Sequence, residues 1–114
     1  MTDGLVVRAN KKGRGVYATR RFQKGELLCS APVIIWPRAV VPDDFIWDYV
    51  WAWRRSTAVP LGLISMMNHA THFNATTQRL YAHRRMTCHA RRIIQPGEEI
   101  TIDYGAAADN FEIL

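Results

Sequence analysis

The sequence is poor in cysteine: of 114 residues, only Cys29 and Cys88 carry thiols. With no C-x-x-C pair, they exclude a disulfide framework and a cysteine-rich zinc module. Both lie in apolar segments, so buried thiols in a reducing compartment are expected. Long apolar runs are also missing, and none approaches the roughly 20 residues that a membrane span needs. The first residues, MTDGLVV, lack the charged stretch followed by an apolar one that marks a secretory signal. A soluble, intracellular protein without membrane contact is the expectation. Acidic residues are scarce beside basic ones, ten against fifteen, which leaves a net charge of +5. Much of the excess sits in arginine doublets, Arg20-Arg21, Arg54-Arg55, Arg84-Arg85 and Arg91-Arg92. Spread in this way, doublets fit a solvated surface, with DNA contact as the alternative.

What the chain does have is apolar content, 48%. That is enough for one domain, residues 1–114, with one core. LVVR at residues 5–8 predicts a short strand, and KKGRG predicts a turn leading into VYA. FQKGELLCSAPVIIW turns through Lys24-Gly25 into one or two strands, interrupted at Pro37 and Pro42. ATTQRLYAH and RMTCHARRII predict two further strands. IQPGEEITIDYG predicts a type II turn at Pro96-Gly97 followed by a final strand. FQKGEL and IQPGEEI resemble each other, which reads as shared turn chemistry rather than a repeat. One helical insert is expected at about 43–55, DDFIWDYVWAWRR. It has acids in its first turn, arginines in its last, and an apolar stripe through Phe45, Ile46, Tyr49, Val50 and Trp53. The fold class is therefore mostly β, a β-rich α+β domain.

The chemistry concentrates at residues 67–75, MNHATHFNA, where the apolar run LGLISMM meets two asparagines and an H-x-x-H. A metal site, a cofactor cradle and an ordinary polar turn are the candidates. His69 and His72 stand three apart outside a helical context, and adjacent Cys88 and His89 face opposite ways on a strand. Neither pattern matches the spacing of zinc ligands, so no metal is expected.

Three pieces combine into a cofactor cradle: GRGVYATRRFQKGE, NHATHFN and GEEITIDYG. In this order they resemble the SET-domain protein lysine methyltransferases, whose pattern is a G-x-G turn, R-x-F-x-K-G-E, N-H-S-x-x-P-N and G-E-E-(L/I)-T-x-D-Y. The resemblance covers roughly residues 5 to 105, and the short chain is similar to the minimal SET proteins of viruses and some bacteria. It implies a β-clip of small curved sheets with a C-terminal pseudoknot, S-adenosyl-L-methionine as cofactor, and methylation of a protein lysine. In the same terms, Gly13, Arg14, Gly15, Tyr17, Asn68, His69, Tyr104 and Phe111 bind the cofactor, with Phe111 covering the purine. Tyr104 is the catalytic residue. Ile102, Tyr17 and Tyr49 line the substrate channel, and Ile102 in place of a tyrosine implies di- or trimethylation. Asn74 helps tie the knot, and His72 falls on the surface. The implied partners are a lysine-bearing protein, with a histone tail favoured, DNA along the arginines, and a second copy of the chain as a homodimer. The implied location is a microbial cytoplasm, or host chromatin if the chain is viral or a secreted effector. The alternative is a degenerate SET module that binds cofactor, chromatin or DNA without turnover. The departures from the family pattern are Ala70 and Phe73 for the motif's serine and proline, and Ser30-Ala31 where many members carry Glu-Tyr.

The physical chemistry is consistent with this reading. A glycine turn lets backbone N–H groups approach a carboxylate, because no Cβ intervenes. Lys12 or Arg14 adds charge there, an amide such as Asn68 can bind the amino-acid end, and an aromatic ring can cover the purine. Lysine attacks only as the neutral amine, so its ordinary pKa, about 10.4, has to fall. Apolar burial and a neighbouring positive charge both lower it.

Overall fold

The computed structural model describes residues 4–37, 51–53 and 56–103. Nine strands run through them: β1 (Leu5–Asn10), β2 (Gly13–Ala18), β3 (Leu27–Pro37), β4 (Trp51–Trp53), β5 (Ser56–Pro60), β6 (Asn68–His69), β7 (Ala75–Leu80), β8 (Arg85–Ala90) and β9 (Glu99–Ile102). Among the described residues the helical segments are two short 3-10 turns, Leu63–Met66 and Tyr81–His83. The mostly β class expected from the short, turn-bounded apolar runs is the class observed. None of the described helices is long and apolar enough to cross a membrane.

The helix expected over about 43–55 does not extend through residues 51–53. Trp51–Trp53 is a strand, paired antiparallel with β5 from Trp51↔Ala58 to Trp53↔Ser56. The tryptophans two apart also satisfy a strand period, and the pairing supplies a sheet partner that a helical reading ignores. The rest of that segment lies outside the described residues, as do Tyr49, Tyr104 and Phe111.

The strands form two sheets, ordered β1-β2-β9-β6 and β4-β5-β3-β8-β7. Two hairpins start the two sheets. β1 pairs with β2 from Leu5↔Ala18 to Asn10↔Gly13, and β7 pairs with β8 from Ala75↔Ala90 to Leu80↔Arg85. Each hairpin runs on through a turn into a strand that crosses to the other sheet. β9, which follows the second hairpin, pairs with β2 of the first; β3, which follows the first, pairs with β8 of the second.

The two turns are equivalent in detail. Gln23 O accepts from Glu26 N at 3.0 Å and Gln95 O from Glu98 N at 3.1 Å, each around a glycine of positive φ, Gly25 at 85° and Gly97 at 89°. Arg20 pairs with Glu26 at 2.7 Å and Arg92 with Glu98 at 2.9 Å. Ala18 N donates to Glu98 O, and Ala90 N to Glu26 O, both at 2.9 Å. Phe22 and Ile94 face each other, exchanging both backbone hydrogen bonds at 2.9 and 3.0 Å. FQKGEL and IQPGEEI are therefore more than shared turn chemistry. They are the matching joints of two interlocked hairpin–turn–strand units.

The core lies where the units meet. Phe22, Ile94, Ile100, Val16, Met86 and Cys88 are fully buried, with Ile64, Met67 and Ile102 at 1% exposure. Each large side chain contributes roughly 1.5–3 kcal/mol by leaving water. LISM winds as a 3-10 turn that drives Ile64 inward, and Met67 follows it into the core. The polar segment 68–74 thus begins against the core, and its asparagines need partners there.

Candidate functional site

The partners come from the neighbouring strands. β6 adds to the free edge of β9 in parallel, Asn68↔Thr101 and His69↔Ile102. A parallel pair this short is weak by itself. Asn74 reinforces it: its side-chain Nδ2 donates to Glu99 O at 2.8 Å and its Oδ1 accepts from Thr101 N at 2.9 Å. Its own backbone N–H donates to Thr101 Oγ1 at 3.3 Å. Asn74 is 3% exposed, so its amide does for β9 what a strand's backbone would do.

Asn68 does the same on the other side. Its Nδ2 donates to Arg14 O and to Glu99 Oε2, each at 2.7 Å, and its Oδ1 accepts from Arg14 Nη1 at 3.4 Å. The asparagine thus joins the G-R-G strand to β9. Asn10 completes the cluster, donating to Tyr17 OH at 3.1 Å and to Glu99 Oε2 at 3.5 Å. The guanidinium of Arg8 lies over the Tyr17 ring, 5.6 Å from its centroid.

This packing explains the second glycine of the motif. A Cβ on Gly15 would stand 2.5 Å from Glu99 Oε2 and 2.6 Å from Asn10 Nδ2. The first glycine differs. Gly13 has φ 108° and open space where a Cβ would be, so its demand is conformational, at the tight end of the β1–β2 hairpin.

Two cationic side chains reach from this hairpin towards β6. Lys12 Nζ donates to His69 O at 3.3 Å, and Arg14 meets Asn68. His69 lies at the surface with its Nδ1 3.8 Å from Asp103 Oδ1, an ion pair when the imidazole is protonated. Gly13, Arg14, Gly15, Tyr17, Asn68 and His69 are thus brought together. Ile102 is not on their face. It sits two residues beyond Ile100, in the core with Val16, whereas Tyr17 faces Glu99. His72 is exposed, as expected for a residue without a role in the cradle. Among the described residues, no three His, Cys, Asp or Glu side chains gather as metal ligands would.

Sequence reasoning missed Glu99. The adjacent glutamates of the GEE motif have separate tasks. Glu98 closes the turn, where the Arg92 guanidinium and then the Gln95 N–H hold its carboxyl below its ordinary pKa. Glu99 receives the amides of Asn68 and Asn10. The clue was a partly buried acid one strand away from a glycine that had no turn of its own to make.

A family model described as SET domain matches residues 13–105. Solved structures share the fold. One is a Plasmodium falciparum protein assigned as a histone methyltransferase, 23% identical, with 92% of this chain and 96% of that chain aligned at a TM-score of 0.79. Two others come from Polycomb Repressive Complex 2 of Chaetomium thermophilum. One is a humanized mutant bound to the inhibitor GSK126, 19% identical with a TM-score of 0.73; the other is the apo complex with mutations in Ezh2, 20% identical with a TM-score of 0.76. Each aligns with 94% of this chain, which spans only 15% and 16% of those chains. No curated protein matches the sequence at a significant level.

Proposed function

This chain belongs to the SET-domain family, and on that premise we propose that it is an S-adenosylmethionine-dependent protein-lysine methyltransferase. The observation that supports it best is the polar bracket of Asn68, Glu99, Asn10 and Arg14 around Gly15, which joins all three family motifs at one place. The pairing of β6 with β9, secured by Asn74, supports the pseudoknot reading, because it pins the strand that leads to Tyr104.

The residues beside the bracket suit an amino-acid zwitterion. Lys12 and Arg14 offer positive charge to a carboxylate, His69 O and Asp103 offer acceptors to an ammonium, and the open space at Gly13 gives backbone access. Bound there, S-adenosylmethionine would supply a methyl group activated on a sulfonium. The side-chain amide of Asn68 is committed to Arg14 and Glu99, so its part is to hold the strands, with backbone groups left for the ligand.

The chain's own task is to receive a lysine amine in its neutral form and align its lone pair. Apolar surroundings lower the amine's pKa, and the Tyr104 hydroxyl orients it. Ile102, the channel position by the family pattern, carries no hydroxyl to hold a water beside the amine, which favours addition of more than one methyl group. Histone lysine is the favoured substrate, and the arginine doublets are the candidate DNA contact.

The test is incubation with labelled S-adenosylmethionine and a panel of lysine-bearing proteins, histones and nucleosomes included, beside a Tyr104→Phe control. Transfer that Tyr104→Phe abolishes, with cofactor affinity kept within a few fold, is the expected result. Cofactor binding without transfer to any protein would favour the non-catalytic module instead.

A further inference from the structure

Cys29 and Cys88 are the only cysteines of the chain, and the fold sets them face to face. They are direct register partners across β3 and β8. A β-bulge produces the match. Leu27 pairs with His89, the register slips by one residue, and Cys29 rather than Leu28 then stands opposite Cys88. Directly opposed residues of an antiparallel pair lie about 4.5–5.5 Å apart at Cα, inside the range that a disulfide bridges. Cys88 Sγ lies 3.7 Å from Met67 Sδ, on the buried side of the pair.

Their exposure to solvent differs. Both are buried, but Cys88 is fully enclosed, whereas Cys29, at 6% exposure, is among the residues lining a cleft of about 590 Å³ between β1, the start of β3 and residues 61–63. A small oxidant in that cleft meets Cys29 first.

We propose that Cys29 and Cys88 form an oxidation-sensing dithiol, which hydrogen peroxide converts into a cross-strand disulfide. In the first step the Cys29 thiolate attacks one peroxide oxygen. The S–O bond forms, the O–O bond breaks, and the departing hydroxide takes up a proton as water. In the second, the Cys88 sulfur attacks the sulfenic sulfur of Cys29. The S–S bond forms, the S–O bond breaks, and hydroxide leaves with the Cys88 proton as a second water. Peroxide gains two electrons and the two thiols lose them; an external dithiol reverses the change.

The order of events agrees with the charges. The neighbouring Cys88 thiol holds the Cys29 thiol below its ordinary pKa, while Cys29 and burial push Cys88 up. Cys29 is therefore the thiol that ionises and attacks first, and Cys88 the resolving one. Met67 touches Cys88 and precedes Asn68 in sequence, so the disulfide alters a contact next to the polar bracket. An effect on cofactor binding rests on the methyltransferase reading; disulfide formation does not.

The test is peroxide titration of the reduced native chain, read by intact mass and by thiol alkylation. The expected product is a monomer lighter by two hydrogens, with both thiols blocked and restored by dithiothreitol. Because the fold holds the thiols together, it should form roughly tenfold or more faster than in the urea-unfolded chain. In Cys88→Ser, dimedone should trap a sulfenic acid on Cys29. Equal rates folded and unfolded, disulfide-linked dimers in place of the monomer product, or thiols that stay free at doses that mark Cys29 in Cys88→Ser would each overturn the proposal.

Discussion

The two interlocked units make the same turn and build different neighbourhoods beyond it. In the first, the hairpin strand β2 carries Gly15 and Tyr17, and its partner strand brings Glu99 across to them. In the second, the matching places on β8 and β3 are Thr87, His89 and Leu27, and Leu27 is 49% exposed. The first unit keeps a regular register and gathers polar groups that satisfy one another. The second takes a bulge and turns two thiols towards each other. The joints hold the domain together, and over residues 22–26 and 94–98 they differ only in Phe22 for Ile94 and Lys24 for Pro96. Chemistry is placed where the symmetry is broken.

Removing the shared joint should cost most. Phe22 and Ile94 are both fully buried and lie opposite each other on the axis between the units. Phe22→Ala is expected to lose about 3–5 kcal/mol and Ile94→Ala about 2–5 kcal/mol. Because the residues share one contact, the double variant should lose less than the two single losses together. Urea unfolding measures all three; strict additivity would mean that the joint is not a single unit.

The next effect separates the two neighbourhoods. Gly15→Ala pushes against Glu99 and Asn10, which the asparagine bracket holds in place. Breaking those hydrogen bonds should cost roughly 1–3 kcal/mol. Thr87→Ala, at the matching place in the second unit, should stay within about 1 kcal/mol. Equal losses at both positions would show that the bracket adds nothing to the first.

A smaller effect is common to both joints. The guanidinium of Arg20 and the N–H of Gln23 hold Glu26 below its ordinary pKa, and Arg92 with Gln95 does the same for Glu98. A depressed folded pKa means stability that is present above the unfolded value and lost as pH falls through the folded one. The melting temperature should therefore begin to drop below about pH 4.5 and continue downward. Glu26→Gln and Glu98→Gln should each flatten part of that slope, and the double variant more. These pairs are largely exposed, so about 1 M salt should shrink the effect.

The strands were legible because their apolar runs are short and end at glycine or proline, as at Lys24-Gly25 and Pro96-Gly97. The cradle was legible because Gly15, Asn68 and the GEE segment keep a family pattern. Three features were not. Trp51–Trp53 fits both a helical stripe and a strand, and only its pairing with β5 decides between them. Glu99 looks like one more surface acid until β2 and β6 close around it. The opposition of Cys29 and Cys88 depends on a bulge one residue long, which leaves no mark in the sequence.

The smallest effect tests whether the two turns are interchangeable. In the second turn Pro96 occupies the position before Gly97; in the first, Lys24 precedes Gly25. Both glycines have nearly the same positive φ, and both turns close with the same hydrogen bond from a glutamate N–H to a glutamine carbonyl. That geometry is a type II turn, in which proline fits the second position because its φ is fixed near −65°. Proline lacks an N–H, and the second turn shows that the joint closes without one. Lys24→Pro should therefore lower the entropy of the unfolded chain without straining the folded one. The expected gain is about 0.4–1 kcal/mol, and Pro96→Lys should lose a similar amount. Urea unfolding of the two variants and of the exchange variant carrying both decides the matter. A Lys24→Pro chain less stable than the native one would mean that the first turn needs its lysine N–H, and that the two joints are alike in outline only.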